Sequence, residues 1–198
     1  MPISQSRVTL HMAASLDGFI ARKDGRVDWM ETVDEFAGGE TMDPHAIEAF
    51  LQTIDCYVMG SRTYETALQF EAKGLGWPYG EKPTFVLSSR PLPRHRENVV
   101  FYSGDLAAFV NQRLRPTYRS IWFVGGGTVF ADCLRLNLAD EIRYSVLPIA
   151  IGEGSPFFAP FACDIPLHLL GVKAYRNGIV ELHYQVKGKP AESLSTVS

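Results

Sequence analysis

The stretch that decides the fold is Ile121-Trp122-Phe123-Val124, which runs directly into Gly125-Gly126-Gly127-Thr128. Four consecutive apolar residues are typical of a central strand covered on both faces. Apolar residues then recur at helical spacing, at Val129, Phe130, Cys133 and Leu134. Glycines between a strand and a helix let a phosphate or a ring approach the backbone, and the helix N-terminus offers unpaired N–H groups. The plainer interpretation is a tight strand-to-helix turn, because the motif is neither GxGxxG nor a Walker A loop.

Two further strand ends carry similar chemistry. Tyr57-Val58-Met59 runs into Gly60-Ser61-Arg62-Thr63, and Thr84-Phe85-Val86-Leu87 runs into Ser88-Ser89-Arg90. Hydroxyl groups and a guanidinium at a helix N-terminus suit a phosphate, although a capped helix with a solvated arginine explains either one alone. In open α/β sheets, ligands bind outside the carboxyl ends of the strands. The strand ends together therefore predict a nucleotide site.

The remaining patterns complete an alternating strand–helix body. Val8–Met12 predicts a first strand and Asn98–Tyr102 another. Asp43-Pro44 is typical of an N-cap followed by proline at the first helical position. An apolar stripe follows it at Ile47, Phe50, Leu51 and Ile54, and a second helical stripe, with Asp105 as its cap, contains Leu106, Phe109, Val110 and Leu114.

From Glu141 onward the sequence predicts strands only. Arg176-Asn177-Gly178 separates two strand-like runs, which is a hairpin signal. We therefore predict a three-layer α/β/α sandwich with a mostly parallel central sheet and an antiparallel C-terminal hairpin. Residues 1–187 are expected to form one domain and residues 188–198 a flexible tail.

Composition narrows the functional class. A net charge of −3 and a pI near 5.9 supply no strong field for nucleic acid or an acidic membrane surface. The sequence contains no signal peptide and no apolar run long enough to cross a bilayer, which predicts no membrane association. Three widely spaced cysteines, an odd number, predict a reducing cytoplasm. The five histidines are scattered without ligand spacing, so no metal is expected.

Taken in order, these motifs resemble the dihydrofolate reductase fold, and more closely its branch represented by the riboflavin-biosynthesis reductase domain. The resemblance spans residues 7–187. The segments that carry it are Ala13-Ala14-Ser15-Leu16-Asp17-Gly18-Phe19-Ile20-Ala21, Asp28-Trp29, Met59–Glu65, Val86–Ser89, Val124–Phe130, Leu138–Glu141 and Leu147–Gly154.

The resemblance implies an NADPH-dependent reductase that transfers a hydride to a small heterocyclic substrate. Ala13 and Ile20 would border the nicotinamide, and residues 16–29 would form a lid. The segments Gly60–Thr63 and Leu87–Arg90 would hold the adenine ribose and its 2′-phosphate. Val124 to Phe130, which includes Gly125, Gly126, Gly127, Thr128 and Val129, would wrap the pyrophosphate and reach the nicotinamide.

The sequence also departs from this family. Arginine commonly follows the first glycine there, whereas Ser61 stands here, so either Arg62 or Arg90 could meet the 2′-phosphate. Dihydrofolate reductases have tyrosine where Phe130 stands, and the helix after the lid lacks their substrate-binding acid, which argues against folate. The riboflavin-pathway reductase has lysine where Phe19 stands, which weakens the match to that substrate.

Several alternatives remain open. Asp17 could bind or protonate the substrate as the catalytic acid, or simply form the turn before Gly18. Trp29 could stack on the substrate or plug the lid. The runner-up function is a non-catalytic nucleotide-binding module, and a phosphate-binding transferase is the third.

Assembly as a homodimer is also expected. The apolar loop around Phe157 and Phe158 could either fold inward or lie at an interface. The riboflavin-pathway relatives tend to pair through their C-terminal strands. We therefore predict a two-fold homodimer whose contact lies at or beside this loop and the strand from Leu167 to Tyr175.

Overall fold

A computed structural model describes residues 6–188 of the chain, so the predicted tail lies outside the described residues except for Gly188. The strands are β1 Arg7–Ser15, β2 Phe19–Ala21, β3 Cys56–Gly60, β4 Thr84–Leu87, β5 Val99–Tyr102, β6 Ser120–Phe123, β7 Glu141–Leu147, β8 Ser155–Pro156, β9 Leu167–Ala174 and β10 Val180–Val186. The helices are α1 Pro44–Gln52, α2 Ser61–Ala72, α3 Leu106–Ala108, which continues as a π-helical segment Phe109–Leu114, and α4 Gly127–Arg135.

Eight strands form one sheet in the order β5-β4-β3-β6-β1-β7-β10-β9. The pairs from β5 to β7 are all parallel. Strand β10 runs antiparallel to both β7 and β9. The predicted mostly parallel sheet with an antiparallel C-terminal hairpin is confirmed.

Apolar cores lie on both faces of this sheet. Alternate residues of β3 point to opposite sides, so Val58 packs with the π-helical segment and α4, while Tyr57 and Met59 pack with Tyr64 of α2. Strand β6 divides in the same way, with Phe123 in one core and Trp122 in the other. A sheet buried on both faces explains why the sequence of these strands is continuously apolar.

The helix signals are confirmed at their starts and corrected in one detail. Asp43 caps α1 by accepting a hydrogen bond of 2.9 Å from the His45 amide, and Asp105 caps α3. The predicted apolar stripe on α1 is not fully buried, however. Ile47 and Leu51 remain 41% and 37% exposed, because α1 lies at the periphery and mainly Phe50 reaches the sheet, against Trp122.

The lid, residues 16–29, and the loop after β7 each contain a short strand that the sequence did not indicate. Strand β2 follows the first turn of the lid and pairs antiparallel with β8 in the loop after β7. Phe157, next to β8, is only 2% exposed, and its ring lies 4.4 Å from that of Tyr144 and 5.0 Å from that of Phe130. The inward interpretation of this loop is therefore correct for Phe157.

Candidate functional site

A cleft of about 520 Å³ opens at the carboxyl ends of β1, β3 and β4. The predicted cofactor residues in its lining are Ala13, Ile20, Gly60, Ser61, Arg62, Thr63, Leu87, Gly126, Gly127, Thr128 and Val129. They come from distant parts of the sequence, and parallel strands bring them together because all the carboxyl ends meet at one edge of the sheet.

Two helices begin at this cleft. The N-cap of α2 is Gly60 and that of α4 is Gly126, and glycine has no side chain that could satisfy the first-turn amides. The Gly60 amide donates a hydrogen bond of 3.1 Å to the Gly125 carbonyl, which holds the two helix starts side by side. Neighbouring helix N-termini that lack side-chain caps are the kind of surface to which anions bind in proteins.

The three glycines of the motif have different surroundings. A Cβ on Gly127 would overlap the carbonyl oxygen of Pro156, and one on Gly125, whose φ is +124°, would lie 2.5 Å from the Met12 sulfur. The nearest atom to a Cβ on Gly126 is Thr63 Oγ1, at 4.0 Å. Gly125 is therefore favoured by its positive φ and Gly127 by packing against backbone, whereas Gly126 keeps the cleft open.

The two candidate arginines differ in their pairing. Arg90 Nη2 lies 2.7 Å from Glu65 Oε2, on an exposed part of the surface. Arg62 lines the cleft, and none of the ion pairs found among residues 6–188 involves it. Of the two, Arg62 has the free guanidinium.

A second, smaller pocket of about 260 Å³ adjoins the cleft through Leu87 and Val129, which line both. The predicted cofactor residues Ser88 and Ser89 lie in its lining, and the other members are Tyr102, Ser103, Gly104, Leu106 and Asp132. The two helix starts lie in the larger of these two neighbouring pockets.

Asp17 lies outside the cleft lining. Its carboxylate accepts hydrogen bonds of 2.7 Å from the Gly152 amide and 3.1 Å from the Ile151 amide. The Ser15 hydroxyl and these two amides hold the pKa of Asp17 below its ordinary value. This geometry favours the structural interpretation, in which Asp17 ties the lid to the loop after β7.

Trp29, Phe130 and Val124 are buried in the protein rather than in the cleft lining. Trp29 is 4% exposed, and within residues 6–188 its Nε1 has no hydrogen-bond partner. The plug interpretation of Trp29 is favoured by this burial. Phe130 is fully buried in the core beside Phe157, and Val124 packs in the opposite core.

The lid, residues 16–29, carries three solvent-exposed ion pairs. Arg22 Nε lies 2.8 Å from Asp28, and Arg26 Nε lies 2.7 Å from Asp24. Lys23 Nζ lies 2.5 Å from Glu153, which joins the lid to the loop after β7. Gly25 and Val27 of the lid, together with Met30, form one wall of the cleft.

Sequence reasoning missed another wall of the cleft. Thr66, Ala67 and Phe70 lie along α2, and Pro78 and Tyr79 lie in the connection to β4. Met12, Ala21, Ser155, Pro156 and Ala159 complete the lining. Phe70 belongs to a predicted helix, but no periodic signal marks the connection that contains Pro78 and Tyr79.

Comparison with known proteins gives three kinds of match. The family model for the RibD C-terminal domain matches residues 6–181. The uncharacterized protein YwjB of Bacillus subtilis is 31% identical over 180 residues, covering 91% of this chain and 98% of YwjB. A protein assigned to riboflavin biosynthesis from Shewanella sp. PV-4 superposes with a TM-score of 0.75 at 26% identity, over 92% of this chain and 99% of that one.

A more distant structure shares the fold alone. The deaminase and 5-amino-6-(5-phosphoribosylamino)uracil reductase of Thermotoga maritima superposes with a TM-score of 0.64 at 16% identity. The match covers 92% of this chain but only 57% of that longer chain.

The fold and its cleft define a protein of the dihydrofolate reductase-like class. Within that class, the chain belongs to the RibD C-terminal domain family, which is related to reductases. Among residues 6–188, no helix is long and apolar enough to cross a membrane. No cluster of three or more His, Cys, Asp or Glu side chains that could hold a metal occurs in that same part of the chain.

Proposed function

We propose that this protein is an NADPH-dependent reductase that acts on a small ring-containing substrate. The observation that carries the proposal is the pair of glycine-capped helix starts at the cleft, held together by the Gly60–Gly125 hydrogen bond. A dinucleotide presents a pyrophosphate and, in NADPH, a 2′-phosphate, and both require amide donors or cations.

The residues present fit this cofactor. The first-turn amides of α4, from Gly127 to Val129, would hold the pyrophosphate, because Gly126 leaves that approach open. The α2 start and Arg62 would hold the 2′-phosphate, and Ser88 and Ser89 in the adjoining pocket would contact the adenosine. Ala13 and Ile20 would border the nicotinamide, which supplies a hydride when bound.

The lining favours catalysis by positioning. Ala13, Ile20 and the lid residue Val27 present apolar surface, which excludes water and orients flat rings against each other. Burial raises the pKa of Tyr79 far above its ordinary value, so its hydroxyl stays neutral. Within residues 6–188, no carboxylate or imidazole lines the cleft, so the proton required by the reduced product would come from water.

The same lining supports a second candidate. A non-catalytic nucleotide-binding module of this fold would also need the glycine-capped helix starts but no acid in the cleft. Turnover, rather than cofactor affinity, separates this candidate from a reductase.

The test is titration of NADPH and NADH by calorimetry, followed by the absorbance of reduced nicotinamide in the presence of pyrimidines and pterins. Micromolar NADPH binding with turnover supports the reductase. Tight NADPH binding without turnover on any acceptor favours the module. If neither nucleotide binds, the proposal is wrong and a phosphate-binding transferase becomes the better interpretation.

We also propose a homodimer and a reducing, cytoplasmic location. Strand β9 is an edge strand whose Leu169 and Val172 are 49% and 54% exposed, and long apolar edges of this kind are uncommon in monomers. Phe157 is buried within the protomer, which leaves the strand as the contact. Free Cys56, Cys133 and Cys163 support the reducing compartment.

A further inference from the structure

The cleft has two halves of different chemistry. The anion half contains the helix starts, with Ser61, Arg62 and Thr63 on α2 and residues 126–128 on α4. The far half is formed by Thr66, Ala67 and Phe70 of α2, Pro78 and Tyr79 of the following connection, and Val27 and Met30. Since Phe70 lies nine residues after Ser61, a helical rise of 1.5 Å per residue separates them by about 13 Å.

The far half has a fixed aromatic wall. The ring of Tyr79 lies 4.9 Å from that of Tyr57 and 5.2 Å from that of Trp77, and Trp77 in turn packs edge-on against Tyr64. Aromatic packing on the sheet therefore holds Tyr79 in place. Phe70 and Met30 add further apolar surface, and such surfaces suit the flat face of a ring.

Positive charge is confined to the anion half. Of the cleft residues in the described part of the chain, Arg62 alone is charged. The lid contributes Arg22, Lys23 and Arg26, but each is paired with a carboxylate and lies outside the lining. Among the described residues, a phosphate in the far half would meet neither a cation nor a free helix N-terminus, whereas the anion half offers both.

We propose that the far half binds an uncharged, ring-containing acceptor that carries no phosphate. This inference rests on the proposed function, because the two phosphate-binding helix starts are taken up by the cofactor. The reductase domain in the Thermotoga maritima protein, by contrast, is named for a phosphoribosyl substrate. The two proteins would share a fold and differ in the polarity of the acceptor.

The first experiment measures binding by calorimetry, with and without saturating NADP⁺, which cannot donate a hydride. The probes are 5-amino-6-ribosylaminouracil, its 5′-phosphate, and 1,4-naphthoquinone. We expect an uncharged probe to bind at least tenfold more tightly than the 5′-phosphate. Tighter binding of the 5′-phosphate, or no binding of either uncharged probe, overturns the inference.

A charge placed in the far half gives an independent test. Phe70→Lys introduces an ammonium group on the cleft face of α2, whereas Gln69→Lys adds the same charge at the neighbouring exposed position. We expect Phe70→Lys to lower the affinity for the uncharged probe at least tenfold and to raise the affinity for the 5′-phosphate. Gln69→Lys should change neither affinity. Equal effects of the two variants overturn the inference.

The outcomes also separate the two proposals. NADPH affinity, measured in the wild type and both variants, reports on the anion half alone. If the wild-type protein does not bind NADPH, the proposed function is wrong. Intact NADPH binding with a preference for the 5′-phosphate contradicts only the assignment of the acceptor.

Discussion

Arg90 lies 2.7 Å from Glu65, so its positive charge is already balanced by a carboxylate on α2. Arg62 lies three residues before Glu65 on the same helix, lines the cleft and has its guanidinium available. A paired arginine binds an incoming phosphate less strongly, because its existing partner must be displaced. Arg62 is therefore the better candidate for the 2′-phosphate.

Replacing Arg62 should change the choice of nucleotide. Arg62→Gln removes the charge and keeps a polar side chain, so we expect NADPH affinity to fall about tenfold, which corresponds to about 1.4 kcal/mol. NADH lacks the 2′-phosphate, and its affinity should change little. Calorimetric titration of both nucleotides measures the ratio of NADPH affinity to NADH affinity.

Arg90→Gln is the matched control for this prediction. It removes the same charge from a paired position, so the NADPH-to-NADH affinity ratio should stay within about twofold of the wild type. A larger loss of NADPH affinity in Arg90→Gln than in Arg62→Gln would reverse the assignment.

The glycine motif yields a second prediction. At Gly126, whose φ is −84°, Gly126→Val directs its side chain into the cleft, so NADPH affinity should fall tenfold or more while the protein stays folded. Gly127→Ala should instead lower the free energy of unfolding by roughly 1–3 kcal/mol, because its Cβ overlaps Pro156. Denaturant unfolding and NADPH titration of both variants check this division. Unchanged affinity in a folded Gly126→Val protein would count against the pyrophosphate assignment.

The sequence was sufficient for the main strands, for a physical reason. Strands β3 and β4 occupy the predicted residues because each is an apolar run that ends in glycine or serine. The pair β2 and β8 could not be predicted, since segments of three and two residues contain no measurable period. The exposure of Ile47 could not be predicted either, because an amphipathic pattern does not show how fully a helix face is covered by other elements.

The candidate site was predictable where it depends on strand ends. Gly60 and Gly126 are marked by their positions after apolar runs, and the parallel sheet brings them together. Tyr79 was not predictable, because packing against Tyr57 and Trp77, rather than local sequence, determines its position. Asp17 was selected by the resemblance, whereas its hydrogen bonds depend on the distant loop at Gly152.

Asp17→Asn distinguishes a catalytic acid from a structural tie. The amide keeps one acceptor for the Gly152 amide but loses the negative charge, so we expect a lower midpoint of thermal unfolding. The pH profile of kcat should keep its shape, because Asp17 lies outside the cleft lining. A proton donor acts only in its protonated form, so loss of the limb along which kcat falls as the pH rises, at unchanged thermal stability, would instead establish Asp17 as the proton donor.

His11 makes the stability depend on pH. Burial, aided by Arg143, lowers the pKa of His11 from 6.5 to about 4, and the neutral ring packs 4.7 Å from Trp122. The folded state thus disfavours protonation, so this stabilisation is present above pH 6.5 and is lost as the pH falls toward 4. We expect the free energy of unfolding to drop by about 2 kcal/mol between pH 7 and pH 5.

Urea unfolding of the wild type and of His11→Gln at both pH values tests this contribution. The variant should lose much less stability on acidification, while His45→Gln, at an exposed position on α1, should behave like the wild type. Equal acid sensitivity of the wild type and His11→Gln would show that other groups cause the effect.

The exposed face of β9 gives the last prediction. Leu169 lies opposite Tyr184 and Val172 opposite Leu182, so these side chains share one apolar face at the edge of the sheet. Two copies related by a two-fold axis could bury this face, and light scattering at micromolar concentration should give about twice the 22.0 kDa chain mass. The double variant Leu169→Lys, Val172→Lys should give the monomer mass, since four ammonium groups would meet at the interface. Leu75→Lys, at a leucine that is 74% exposed away from the sheet, should remain dimeric. A wild-type protein that scatters as a monomer at every concentration tested would contradict the predicted dimer.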